Sequence, residues 1–111
     1  MDLDEKVITL VTNMIKCHED GDFAKLTSLM DRRTLEDKDT FFTQEKFTEV
    51  TQKIQQQLGQ FLSVEYIGSL NKKNSIHTLW KTRYSKTDED IMWQVRIGLG
   101  DNQKILLMTV N

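Results

Sequence analysis

Cys17, His18, Glu19, Asp20 and Asp22 make a short run of side chains of the types that ligate metals. Ligands must converge on one point, however, and consecutive helical residues point about 100° apart. No paired Cys or His motif elsewhere completes a set, so neither a metal nor a cofactor is expected. His18 follows Val11 and Met14 at helical spacing, which predicts a partly buried imidazole at the edge of the core. His77 is the other histidine. It alternates with Leu79, Lys81 and Arg83, which reads as a surface or interface face of a strand. Glu65 alternates with Val64 and Tyr66, so it faces outward and is expected to pair with Arg83 or Arg96 across a sheet.

A second group is aromatic. Tyr66, Trp80, Tyr84 and Trp93, with the hydroxyls of Thr78 and Thr82, have the makings of an apolar pocket with a few polar groups. The reading that the composition favours is that the same rings simply fill a core beneath helices. Tyr66, Thr78, Trp80, Tyr84 and Trp93 are nonetheless the candidate ligand-binding residues. The face they belong to carries Ile76, Thr78, Trp80, Thr82 and Tyr84 against Ile91, Trp93, Val95, Ile97 and Leu99. It holds no acid and no histidine, so no catalytic residue is assigned. The opposite face carries His77, Leu79, Lys81, Arg83, Met92, Gln94 and Arg96. Leaving Leu79 and Met92 open to water together is unfavourable, and Met and Arg are enriched at interfaces. That face is the expected homodimer surface. There is no GxGxxG, no phosphate-cradling glycine loop and no GxSxG, so nucleotide and serine-hydrolase chemistry have no support.

The elements that must position these groups follow from periodicity. Leu3, Val7, Leu10, Val11, Met14 and Ile15 predict a helix over 3–18, with Asp2 as N-cap and Gly21 as stop. Asp22 caps a second, short helix over 23–30. Residues 31–42 read as a charged loop whose Phe41 and Phe42 anchor its far end in the core. Thr43 caps a third helix, with Phe47, Val50, Ile54 and Leu58 as its stripe and Gly59 as its end. The period then falls from about 3.6 to 2. Strands are predicted over 61–70, with Leu62, Val64 and Tyr66 sharing a face, then 75–85, 91–99 and 105–110. The second and third are joined by the charged turn at 86–90, and Gly100-Asp101-Asn102 signals the last hairpin. Short connections favour an antiparallel meander.

The chain has 111 residues and a net charge of −2. That length predicts a single domain over 1–111. The charge is too balanced for a nucleic-acid binder, and no apolar run approaches a membrane span, so neither partner is expected. One cysteine and no leader-like N-terminus lead to an expected cytoplasmic location.

Leu79-Trp80-Lys81-Thr82-Arg83-Tyr84, a charged turn, and then Met92-Trp93-Gln94-Val95 resemble the paired long strands of small bacterial members of the nuclear-transport-factor-2-like superfamily, the cystatin-like cone fold. Ser28-Leu29-Met30-Asp31 resembles the end of their second helix. In layout the resemblance spans nearly the whole chain. It implies a curved sheet wrapped against helices around a conical cavity. Some members are isomerases or dehydratases, others bind small ligands or proteins, and many dimerise through the outer sheet face. The acid or histidine that the enzymes carry inside the cone has no matching position here.

The expected architecture is thus α+β, with three N-terminal helices packed on a curved four-stranded antiparallel sheet. The expected function is a small binding or protein-interaction module, dimeric through its outer face, with an apolar pocket for a small ligand. The alternatives are an isomerase or dehydratase acting on a small hydrophobic substrate, and an accessory domain that works only with a separate partner.

Overall fold

A computed structural model describes residues 5–36, 43–99 and 103–110. The fold is α+β. Among the described residues four helices, α1 (Glu5–Asp20), α2 (Phe23–Leu29), α3 (Arg32–Glu36) and α4 (Gln44–Lys53), are followed by a π-helical turn at Ile54–Leu58. The strands are β1 (Phe61–Lys72), β2 (Ser75–Tyr84), β3 (Ile91–Gly98) and β4 (Ile105–Val110), paired antiparallel in the order β1-β2-β3-β4. Asp2, Leu3, Phe41, Phe42 and the turn at 100–102 lie outside the described residues.

Val7, Val11, Met14, Ile15 and His18 form the buried stripe of α1. Gly21 ends the helix at φ 69°, a left-handed conformation that costs glycine little, and the Asp22 amide donates back to the Cys17 carbonyl. Asp22 then turns to the next helix, its carboxylate accepting from the Lys25 amide. Thr43 caps α4 in the same way, through the Lys46 amide.

Helix α3 occupies part of the segment expected to be loop. Its run RRTLE has no apolar stripe, so periodicity could not announce it. Tertiary bonds hold this region in place. Asp31 donates its amide to the Ile105 carbonyl at 2.7 Å, and Thr34 Oγ1 donates to the Leu106 carbonyl at 2.9 Å. Met30 also bridges Ile105 in parallel, so the start of β4 has a covered edge.

The π turn closes with Gly59 N–H on the Ile54 carbonyl. Gly59 sits at φ 85°, ψ −142°, and a Cβ there would run into the Ser85 hydroxyl and the Lys86 chain. The β2–β3 turn is laced to this point. Ser85 Oγ accepts from the Gln60 amide, while Lys86 donates its backbone N–H to Leu58 and its ammonium to the carbonyls of Gln55 and Gln56.

Helices and sheet share one core. It joins Val11, Met14, Ile15, Leu26, Phe47 and Ile54 to Trp80, Tyr84, Trp93, Val95, Ile97 and Ile105. Two strand expectations need correction. Leu62 is not an inward residue but is 61% exposed, because a register shift between Phe61 and Ser63 turns it out and leaves Phe61 opposite Tyr84. Leu99 lies beyond the end of β3 and is exposed rather than part of the inner face.

Candidate functional site

The five residues expected to bind a ligand do come together. Trp80 and Trp93 are direct cross-strand partners, and Tyr66 opposes Trp80 with ring centroids 5.3 Å apart. Both indoles are 1% exposed. Their polar atoms are spent on neighbours. Thr78 Oγ1 donates to the Val95 carbonyl and accepts from Trp80 Nε1, both at 2.7 Å. Thr82 Oγ1 donates to the Ile91 carbonyl, Trp93 Nε1 donates to the Tyr84 hydroxyl at 3.1 Å, and the Tyr66 hydroxyl donates to Ser69. Burial pushes the Tyr84 phenol above its ordinary pKa. Threonine hydroxyls bonded to the sheet's own carbonyls let a polar residue sit in the core without an orphaned group.

A different polar group is not satisfied. His18 is 4% exposed at the end of α1, packed edge-on against Phe47 of α4 at 4.9 Å between centroids and tilted against Trp93 of β3 at 5.2 Å. Neither ring nitrogen has a hydrogen-bond partner. The Thr51 hydroxyl, one helical turn beyond Phe47, is also buried without a partner. Burial pulls the His18 pKa down to about 4, so the ring is neutral at pH 7. Its neighbour Glu19 turns away, its carboxylate accepting from the Phe61 amide at 2.8 Å. The spacing from Val11 and Met14 pointed to burial of His18. It did not reveal Thr51, which lies on another helix.

The outer face holds the remaining seven candidates, His77, Leu79, Lys81, Arg83, Met92, Gln94 and Arg96, all of them half-buried. His77 Nε2 lies 3.1 Å from Gln94 Oε1. Glu65 pairs with Lys81 at 3.0 Å, not with Arg83 or Arg96, because the β1–β2 register sets it opposite Lys81. Arg83 instead reaches Asp90 at the charged turn, also at 3.0 Å. Leu79 opposes Gln94 and Met92 opposes Lys81, so the two apolar side chains are diagonal neighbours. Ile67 and Leu107 are each more than half exposed on the flanking strands. Arg96 keeps a buried Nε without a partner.

Among the described residues no three His, Cys, Asp or Glu side chains gather where a metal could be held, and no helix is long and apolar enough to cross a membrane. The chain matches no model of a protein family, and no curated protein shows significant sequence similarity to it.

Proposed function

We propose that this chain is an interaction module of the nuclear-transport-factor-2-like cone type, with a curved sheet, that pairs with a second copy of itself through the outer sheet face. One observation carries the reading. The apolar pair Leu79 and Met92 stands at the middle of a face where His77, Lys81, Arg83, Gln94 and Arg96, like the pair itself, are only half-buried. The inner aromatics argue the same way from the other side, since their hydroxyls and indole N–H groups are already bonded internally. A single buried cysteine, Cys17, suits a reducing compartment such as the cytoplasm.

Multi-angle light scattering on the full chain at micromolar concentration is expected to give twice the chain mass. Met92→Glu places a charge at the centre of the contact and weakens pairing by on the order of a hundredfold. Its circular dichroism should match that of the parent, since Met92 lies outside the core. A monomeric parent chain would remove the proposal.

The second reading, an isomerase or dehydratase acting on a small hydrophobic substrate, rests on His18 alone. An imidazole held down to about 4 is a weak general base at neutral pH, which counts against it.

A further inference from the structure

Resting on the pairing through the outer sheet face, we infer that the two copies lie end for end, with the two-fold axis crossing the strands at the Trp80–Trp93 row, so that Arg96 of each copy meets Asp90 of the other. The outer face and the turns at its ends carry charge unevenly along the strands. At one end the β1–β2 hairpin exposes Lys72 and Lys73, and Arg96 stands half-buried nearby, opposite His77. Among the described residues none of these three cations has an acidic partner. At the other end the β2–β3 turn exposes Asp88, Glu89 and Asp90. Arg83 answers Asp90, and the Lys86 ammonium is taken by the carbonyls of Gln55 and Gln56. The carboxylates of Asp88 and Glu89 have no cationic partner among the described residues. Between the two ends Lys81 and Glu65 cancel, and Leu79 and Met92 hold the apolar middle.

A two-fold axis that lays a face on its own copy lies in the plane between the two sheets. Set along the strands, it brings like ends together, Lys72, Lys73 and Arg96 against the same cations and Asp88 and Glu89 against the same acids. Like charges set against each other across an interface are strongly unfavourable. Set across the strands, the axis lays the basic end of each copy over the acidic end of the other. The β2–β3 register then fixes the contacts. Trp80 and Trp93 are paired, so an axis through their row carries position 96 onto position 90 and position 94 onto position 92. The Leu79 and Met92 side chains of both copies gather at the centre. The ion pair with Arg83 uses Asp90 Oδ1 and leaves Oδ2 to accept from the partner's Arg96. This setting also keeps the strands of the two sheets within about 30° of each other, as twisted sheets pack.

A charge-exchange cycle tests the arrangement. Within one copy, positions 90 and 96 are about 20 Å apart along an extended strand, well beyond the screening length of about 8 Å at physiological salt. Reversals at the two positions therefore add independently unless the residues meet across the interface. Sedimentation equilibrium on the full chain is expected to show pairing weakened by about tenfold in Arg96→Glu and in Asp90→Arg alike. The double variant exchanges the two charges and should recover to within about threefold of the parent. Lys73→Glu with Glu89→Lys repeats the cycle at exposed positions where core packing plays no part. Rescue in either cycle upholds the end-for-end setting. A dimeric parent whose two double variants are both as weak as their single reversals combined keeps the pairing and overturns the setting. A monomeric parent removes the pairing and the setting with it.

Discussion

Burial holds the His18 imidazole at about 4, against an ordinary 6.5 when the chain is unfolded. The unfolded chain therefore binds the proton more tightly. Stability from this group is fully present above pH 6.5 and is lost as pH falls from 6.5 towards 4, where the folded form must bury a charge or open. Across that interval the loss is about 3 kcal/mol. Urea unfolding at a series of pH values should show this acid limb, and His18→Leu should flatten it between pH 6.5 and 4. If the two chains lose stability in parallel, the limb belongs to other groups. The burial of His18 was legible because it shares a helix face with Val11 and Met14. Its lack of partners was not, since that depends on what α4 and β3 bring against it. Glu65 shows the same limit. Alternation gave its outward direction, but its partner Lys81 depends on register, which the strand pattern leaves open.

The central strands were the clearest elements, for a physical reason. Each of β2 and β3 has one face more deeply buried than the other, so inner and outer residues alternate without a break from His77 to Tyr84 and from Ile91 to Ile97. Strand β1 broke the rule because register shifts fall after Phe61 and after Tyr66, and an irregular strand has no constant period. The same contrast predicts amide exchange. Val95, Thr78 and Thr82, buried in the two strands with a neighbour on each side, should be among the slowest to exchange. Residues 69–74, exposed at the β1–β2 hairpin end, should exchange orders of magnitude faster. Comparable rates at both places would contradict this register. The π turn offers a sharper test. Gly59 occupies a backbone region that is nearly glycine-only, with Ser85 and Lys86 packed where a side chain would start. Gly59→Ala should cost about 2–3 kcal/mol, measured by thermal or urea unfolding. Gly21→Ala, at φ 69° with open space around it, should cost only about 1 kcal/mol.

Seen as a whole, the molecule is flat, with extents of 37 × 34 × 19 Å. The short dimension is about what one helix layer on one sheet needs, given a layer spacing near 10 Å. A two-layer protein of this kind covers only one face of its sheet. The other face must be made polar or given a partner, and here ion pairs such as Lys81–Glu65 and Arg83–Asp90 alternate with Leu79, Met92 and Ile67. The exposed ion pairs add little stability by themselves. In the dimer proposed above, their value would lie in setting which way a second sheet is laid across the first.

The order of elements along the chain bears on how the molecule is made. A ribosome delivers α1 first, with Val7, Val11, Met14 and Ile15 on one side, and only later the strands that bury them. At synthesis rates of roughly 5–20 residues per second, that stripe waits several seconds for its sheet. During that wait only Leu26 of α2 and then Phe47 of α4 are at hand to cover part of that stripe. The helical half of the chain is therefore the part that a chaperone would have to shield, and the meander is the part whose completion releases it.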